Sequence, residues 1–265
     1  MAATGKPLVN DTAAKDTALV LVGHGSTGNG DCRQATSRHA EEIRSRGLFA
    51  EVREGFLKQA PALEDVLASV TTPKVVLVPF MASKGYITDH VLPAKIAGNG
   101  HAVITEPVGT HPLISATLRA KLCTFFNTVD AGDASVLVVG HGTKKNRSSA
   151  DQLKTLAATL SKTAKAVFLE QEPLLKDWRK VTNAGTVIVL PFLMSGGLHG
   201  TRDVPALLGL NPDDPGPSLA GLEESAKPAG PFELGGRKVY LFRPLGYEPV
   251  MTEIIIERAL EIQNT

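Results

Sequence analysis

Short apolar runs alternate along this chain with longer stretches in which apolar residues recur every three or four positions. The runs predict strands at 18–22, 50–57, 74–80 and 102–106, and again at 135–139, 165–169, 186–192 and 238–242. The amphipathic stretches predict helices at 32–46, 61–70 and 114–127, then at 148–161, 173–181 and 249–262. Strands that are apolar throughout and separated by helices belong to a parallel sheet covered on both faces. The expected class is α/β, with two similar halves, each a parallel sheet of about four strands flanked by helices.

The two halves repeat one another in sequence. Gly23-His24-Gly25 returns 117 residues later as Gly140-His141-Gly142. Phe56-Leu57-x-Gln59-x-Pro61 returns after 112 as Phe168-Leu169-x-Gln171-x-Pro173, and Pro79-Phe80-x-x-Ser83-x-Gly85 after 112 as Pro191-Phe192-x-x-Ser195-x-Gly197. Pro107-Val108-Gly109 returns after 137 as Pro244-Leu245-Gly246. Such self-similarity sets the architecture. It divides the chain into 17–130 and 133–265, joined near 129–134 (VDAGDA). The jump in offset places an insertion at about 206–237, rich in Pro, Gly and Ser, which reads as a long surface loop.

Ligands of parallel α/β sheets bind outside the carboxyl ends of the strands. In the second half, His141, Glu170 and His199 fall at or just past such ends, 29 and 29 residues apart, one βα unit each. Two imidazoles and a carboxylate suit a first-row divalent metal. Glu172, two residues on, is the alternative carboxylate. In the first half the matched positions hold His24, Lys58 and Ile87. A lysine and an isoleucine cannot hold a cation, so duplication followed by loss of one site accounts for the pattern.

Together GHGS near the start, FLEQEP, PFLMSGGLHGTRDVP and GHGTKKNRSS resemble the class II tetrapyrrole chelatases, in particular the two-repeat form of the sirohydrochlorin cobaltochelatase (CbiX-type) family. The likeness runs from about Thr17 to Ile262, leaving out the N-terminal tail and the insertion. It implies two Rossmann-like, chelatase-like halves facing across a cleft that takes a flat tetrapyrrole. It implies a working set of His141, Glu170 and His199 in the second half, as catalytic groups and metal ligands, with His24 opposite. The departure lies at Lys58 and Ile87, which rule out two equivalent sites.

The chemistry fits that resemblance. Metal insertion strips water from M²⁺ and removes two pyrrole N–H protons. A neutral histidine either ligates the metal or accepts a proton, and a carboxylate favours the dication and relays protons outward. The metal, Co²⁺ first with Fe²⁺ or Ni²⁺ as alternatives, is a substrate, and no organic cofactor is expected. Lys84, Lys144, Lys145, Arg147 and Arg202 stand in strand-end loops and suit the carboxylates of a sirohydrochlorin-like macrocycle. Ser26 and His90 are further candidate substrate contacts. Asp203 either orients His199 or caps a helix. His39, among charges in SRHAEE, reads as solvated, and His101 and His111 as structural.

Composition narrows the partners. Lys plus Arg is 28 and Asp plus Glu is 27, so the net charge is +1, without the basic excess of a nucleic-acid or membrane-surface binder. Two cysteines, Cys32 and Cys123, far apart, exclude a disulfide scaffold or zinc ribbon. The N-terminal stretch has no apolar core of a signal peptide, and no apolar run approaches the roughly 18 residues of a membrane span. The expectation is a cytoplasmic enzyme, monomeric or weakly homo-oligomeric. Two rival readings use the same features. One is a non-catalytic tetrapyrrole or metal-binding protein. The other is a dinucleotide-dependent oxidoreductase, from the GxGxxG pattern at Gly23, Gly25 and Gly28 with Glu51 or Glu54 as the ribose acid. The second repeat lacks the third glycine, which weakens it.

Overall fold

The computed structural model describes residues 14–26, 33–143, 148–195, 202–211, 219, 222 and 224–262. The first sheet comprises β1 (Ala14–Gly23), β2 (Phe49–Phe56), β3 (Lys74–Pro79) and β4 (Ala102–Ile104). Its order is β2-β1-β3-β4, and every pairing is parallel. The second sheet comprises β5 (Ala134–Gly140), β6 (Ala164–Phe168), β7 (Thr186–Pro191), β8 (Ala229–Glu233) and β9 (Lys238–Leu241), in the order β6-β5-β7-β9-β8. Its first four members pair in parallel and repeat the first sheet position by position. The register agrees as well: Gly23 stands opposite Phe56, and Gly140 opposite Phe168.

The long apolar runs became the central strands. Ala18 to Val22 of β1 and Val136 to Val139 of β5 are wholly buried, because helices cover both faces of each sheet. The covering helices are α1 (Gln34–Arg46), α2 (Leu63–Ser69), α3 (Leu92–Ile96), α4 (Leu113–Thr128), α5 (Ser148–Leu160), α6 (Trp178–Val181), α7 (Val204–Leu208) and α8 (Val250–Glu261). Helix α4 shows how the pattern works. Ile114, Leu118, Leu122 and Phe125 recur on one face and are the buried residues.

The last helix of each half packs onto the other half. Phe125 of α4 sets its ring edge-on to Tyr240 and Phe242, and Lys121 of α4 reaches Glu248 at 2.6 Å. In return α8 lies against β3 and α1. One apolar cluster therefore contains Leu19 and Val76 of the first sheet with Val136 and Ile188 of the second. Glu248 is also clasped by Arg243 at 3.0 and 3.1 Å, so its buried charge is paired on two sides.

Four local expectations need correction. The stretch 173–181 is one 3₁₀ turn, Leu175–Asp177, followed by the single turn of α6, rather than one helix. The insertion is not a surface loop throughout. It holds most of α7 and also β8, which runs antiparallel beside β9 and makes a fifth strand. A π-helical turn, Ile87–Val91, leads directly into α3 where only a loop was expected. His39 is not solvated: it is 1% exposed, because α1 turns the face carrying Thr36, His39 and Ile43 inward.

Candidate functional site

His24 and His141 follow the carboxyl ends of the two central strands, β1 and β5. The two turns are built alike. The Lys58 N–H donates to His24 O and the Glu170 N–H to His141 O, each at 3.0 Å. A glutamine pins each turn from the next unit. The Ser26 N–H donates to Gln59 Oε1 at 2.9 Å, and the Thr143 N–H to Gln171 Oε1 at 2.8 Å. Gly25 and Gly142 sit at φ +73° and +77°, where a side chain is strained. A Cβ on Gly142 would also stand 2.7 Å from Gln171 Cγ. The sequence repeat carried the two glutamines, but nothing in it said that they brace the histidine turns.

In the second half, His141 Nδ1 lies 3.0 Å from Gly142 O and 3.8 Å from Glu170 Oε2. A carbonyl beside Nδ1 calls for an N–H there, so Nε2 is the basic nitrogen of the ring. Glu170 is thus on the proton-bearing side of the imidazole, with its carboxylate exposed to solvent. Glu172 is turned elsewhere: its Oε2 accepts the N–H of Leu174 at 3.2 Å. Of the two carboxylates, Glu170 is the one beside His141.

In the first half, Lys58 occupies the position of Glu170 and is exposed, while Ile87 opens the π-helical turn and packs against the apolar cluster around Leu77 and Leu92. His24 keeps an exposed edge. The surrounding protein, then Lys58, lowers its pKa below the ordinary 6.5, and His141 acts in the same direction. The Gly25 backbone opposes this.

Other expected site residues are more scattered. Lys84 is paired with Glu106 at 2.7 Å. His90 is exposed, its ring 5.4 Å from that of Tyr86, the most exposed large apolar side chain among the described residues. Arg202 is exposed, and Asp203 precedes α7 without a side-chain capping bond. His199, Lys144, Lys145 and Arg147 lie outside the described residues. Of the two candidate ribose acids, Glu51 pairs with Arg53 at 2.9 Å and Glu54 accepts the Ser37 hydroxyl at 3.0 Å.

Two further features stand apart from the histidine pair. A cleft of about 620 Å³ runs along the seam between α5 and the first half, lined by Ala82, Ser83, Gly109, Ser115, Gln152 and Leu156 among others; neither His24 nor His141 lines it. His111, Glu257 and Glu261 form the one group among the described residues with the spacing of a metal site. Its chemistry is wrong for a cation. His111 Nδ1 accepts the Leu113 N–H at 3.3 Å, which puts the ring proton on Nε2, facing Glu257 at 3.5 Å, and Arg258 already holds Glu261 at 3.0 Å. It is a polar contact between α8 and the turn before α4, with the ion pair of Arg258 and Glu261 confined to α8.

The CbiX family model matches residues 18–124 and 135–262, one copy on each half. A probable sirohydrochlorin cobaltochelatase of Halobacterium salinarum is 28% identical, with 92% of this chain and 91% of that protein aligned. The sirohydrochlorin cobaltochelatase of Methanopyrus kandleri, also 28% identical, aligns over 95% of its own length to only 48% of this chain. Among solved structures, SirB from Bacillus subtilis with Fe³⁺ superposes with a TM-score of 0.66 at 17% identity, covering 94% of this chain and 98% of SirB, a likeness of fold. No described helix is long and apolar enough to cross a membrane.

Proposed function

The chain belongs to the CbiX family, and from that premise we propose that it is a metal chelatase, a lyase that inserts a divalent metal into a sirohydrochlorin-type tetrapyrrole in cobalamin or siroheme biosynthesis. Co²⁺ is the first choice of metal, following the names of the cobaltochelatase relatives; Fe²⁺ and Ni²⁺ suit the same ligands. The observation that carries the reading is the His141–Glu170 pair. One ring nitrogen is committed to a backbone carbonyl, the other is basic, and a carboxylate stands 3.8 Å from the committed side.

In this reading the working half is 133–265 and the degenerate half is 17–130. His141 takes the metal, or a pyrrole proton, on Nε2, and Glu170 stabilises the charge that develops on the ring. His199 completes the ligand set. Insertion exchanges two pyrrole N–H protons for one M²⁺, so two protons must leave. The lowered pKa of His24 keeps its imidazole neutral near pH 7, ready to accept one of them from the opposite side. Arg202, Lys144 and Lys84 meet the macrocycle's carboxylates, Lys84 by leaving Glu106. Ser26 and His90 contact the macrocycle edge.

The test is incubation with metal-free sirohydrochlorin and Co²⁺, followed by absorbance. Continued conversion beyond one product per protein is expected. Saturation at one equivalent would leave a binding protein without turnover. Parallel runs with Fe²⁺ and Ni²⁺ rank the metals.

A further inference from the structure

We propose that His39, on α1 of the first half, is a positioning residue for the site in the second half. The inference rests on the chelatase reading above, which puts that site at the carboxyl ends of β5, β6 and β7. His39 crosses the seam. Its Nε2 lies 2.8 Å from Gly246 O, and its Nδ1 lies 2.8 Å from Thr252 Oγ1 at the start of α8. A carbonyl can only accept, so Nε2 carries the ring proton, and Nδ1 faces the Thr252 hydroxyl. The Thr252 hydroxyl donates to Glu42 Oε2 at 2.8 Å, and Glu42 is held besides by Arg46 at 2.7 Å.

Gly246 passes the constraint on. Its own N–H donates to Leu193 O at 2.9 Å. A Cβ at Gly246 would lie 1.9 Å from Met194 O, so the two backbones are in direct contact. Leu193 and Met194 are the second and third residues beyond β7, the strand that precedes His199 in the chain. The brace therefore runs from the His39 imidazole through the Gly246 peptide to the shelf at the end of β7.

The matched place in the other half lacks this brace. Gly109 repeats Gly246: its N–H donates to Met81 O at 3.0 Å, and a Cβ would lie 2.2 Å from Ala82 O. Ser115 repeats Thr252, and Thr159 repeats Glu42, with their hydroxyls 3.2 Å apart. Position 39, however, is repeated by Leu156, which has no polar group to offer. There the seam opens into the cleft of about 620 Å³ instead of closing on an imidazole. The half that keeps a histidine and a carboxylate is the half whose shelf is braced. The half with Lys58 and Ile87 is the one whose shelf is not.

The test compares His39→Leu, which installs the matched residue, with His39→Gln, whose side-chain amide can still donate to Gly246 O. Ile43→Val trims the core beneath the same helix without touching the brace. Three readouts are taken on the full-length protein: kcat and KM for Co²⁺ insertion into sirohydrochlorin, and hydrogen exchange at the Gly246 amide. For His39→Leu, kcat should fall at least fivefold with KM within twofold, and Gly246 exchange should quicken at least tenfold. His39→Gln should recover part of both, and Ile43→Val should keep kcat within twofold of the parent. A folded His39→Leu protein with parental kcat overturns the proposal, and so does an equal loss of kcat in Ile43→Val. Should His39→Leu fail to fold, His39→Gln decides alone: faster Gly246 exchange with unchanged kcat sinks the positioning role. If the parent protein itself inserts no metal, the chelatase reading has failed; the exchange rates then judge the brace by themselves.

Discussion

Phe125 belongs to the first half and Tyr240 to the second, yet their rings meet edge to face with centroids 4.8 Å apart. The contact lies inside a cluster shared by both sheets, so neither half completes its core alone. Phe125→Ala should cost about 3–5 kcal/mol, the usual range for a buried phenylalanine. Urea denaturation should still show one transition by both fluorescence and circular dichroism. Two separated transitions would mean that the halves are energetically independent.

His141→Ala and His199→Ala should each reduce metal insertion at least tenfold without unfolding the protein; the His141 side chain sits beyond β5 and is exposed, so its loss opens no cavity in the core. Glu170→Gln should slow turnover while leaving macrocycle affinity within a few-fold. Parental turnover in either histidine variant, with every metal tried, would remove that residue from the mechanism.

The matched histidines should behave differently. His141 has Glu170 beside it, whereas His24 has Lys58. A cation near His24 would face an ammonium and an apolar side chain, which one imidazole cannot offset. His24→Ala should therefore raise the tetrapyrrole KM or lower kcat moderately, with metal affinity near that of the parent. A calorimetric metal titration of the parent, His24→Ala and His141→Ala decides it. Loss of binding in the first variant and not the second would reverse the assignment of halves.

Acid should weaken the fold from just below neutrality. His24, His39 and His111 all have pKa values below the ordinary 6.5, in each case chiefly because burial disfavours the charged ring. As the pH falls through 6.5, the unfolded chain takes up protons that the folded protein still refuses, so stability declines until the lowered folded values are passed. Glu42, whose pKa is held below 4.5 against its own burial by Thr252 and Arg46, adds a second loss under stronger acid. The urea midpoint should be lower at about pH 5.5 than at about pH 7.5, and His39→Leu should flatten the slope. A midpoint that rises on acidification would contradict this.

Gly142→Ala should destabilise the protein by about 1–3 kcal/mol, the cost of forcing a side chain into a left-handed backbone position. The new methyl would also press on Gln171, which holds the Thr143 N–H. Both effects tilt the His141 turn, so insertion should slow more than the stability loss alone explains. An unchanged rate in Gly142→Ala would show that the turn geometry is not critical.

The eight parallel strands were legible because strands buried on both faces are written as unbroken apolar runs, and the repeat then supplied their common order. What escaped had a different physical basis. β8 reads as a loop because Gly230 and Pro231 break its pattern, and it forms as an edge strand resting on β9. His39 looked solvated because its sequence neighbours are charged; only its helical spacing from Thr36 and Ile43 marked the buried face. Glu170 and His141 were placed by the rule for strand ends. Which of Glu170 and Glu172 stands beside His141 became visible only with the turn in which Glu172 accepts the Leu174 N–H. The His39 contacts across the seam were invisible because its partners lie 207 and 213 residues away in the chain.

The two helices that change sides, α4 and α8, also bear on how the halves came to differ. When two identical chains clasp one another, every substitution is made twice, and a change tolerable on one side must be tolerable on the other. Here the clasp is closed within a single polypeptide across the short stretch 129–133, so each position is inherited separately. A lysine at 58 and an isoleucine at 87 then leave Glu170 and His199 intact. A leucine can stand at 156 while a histidine stands at 39. Fusion releases the molecule from its own symmetry, and one of two equivalent faces becomes free to specialise or to lapse.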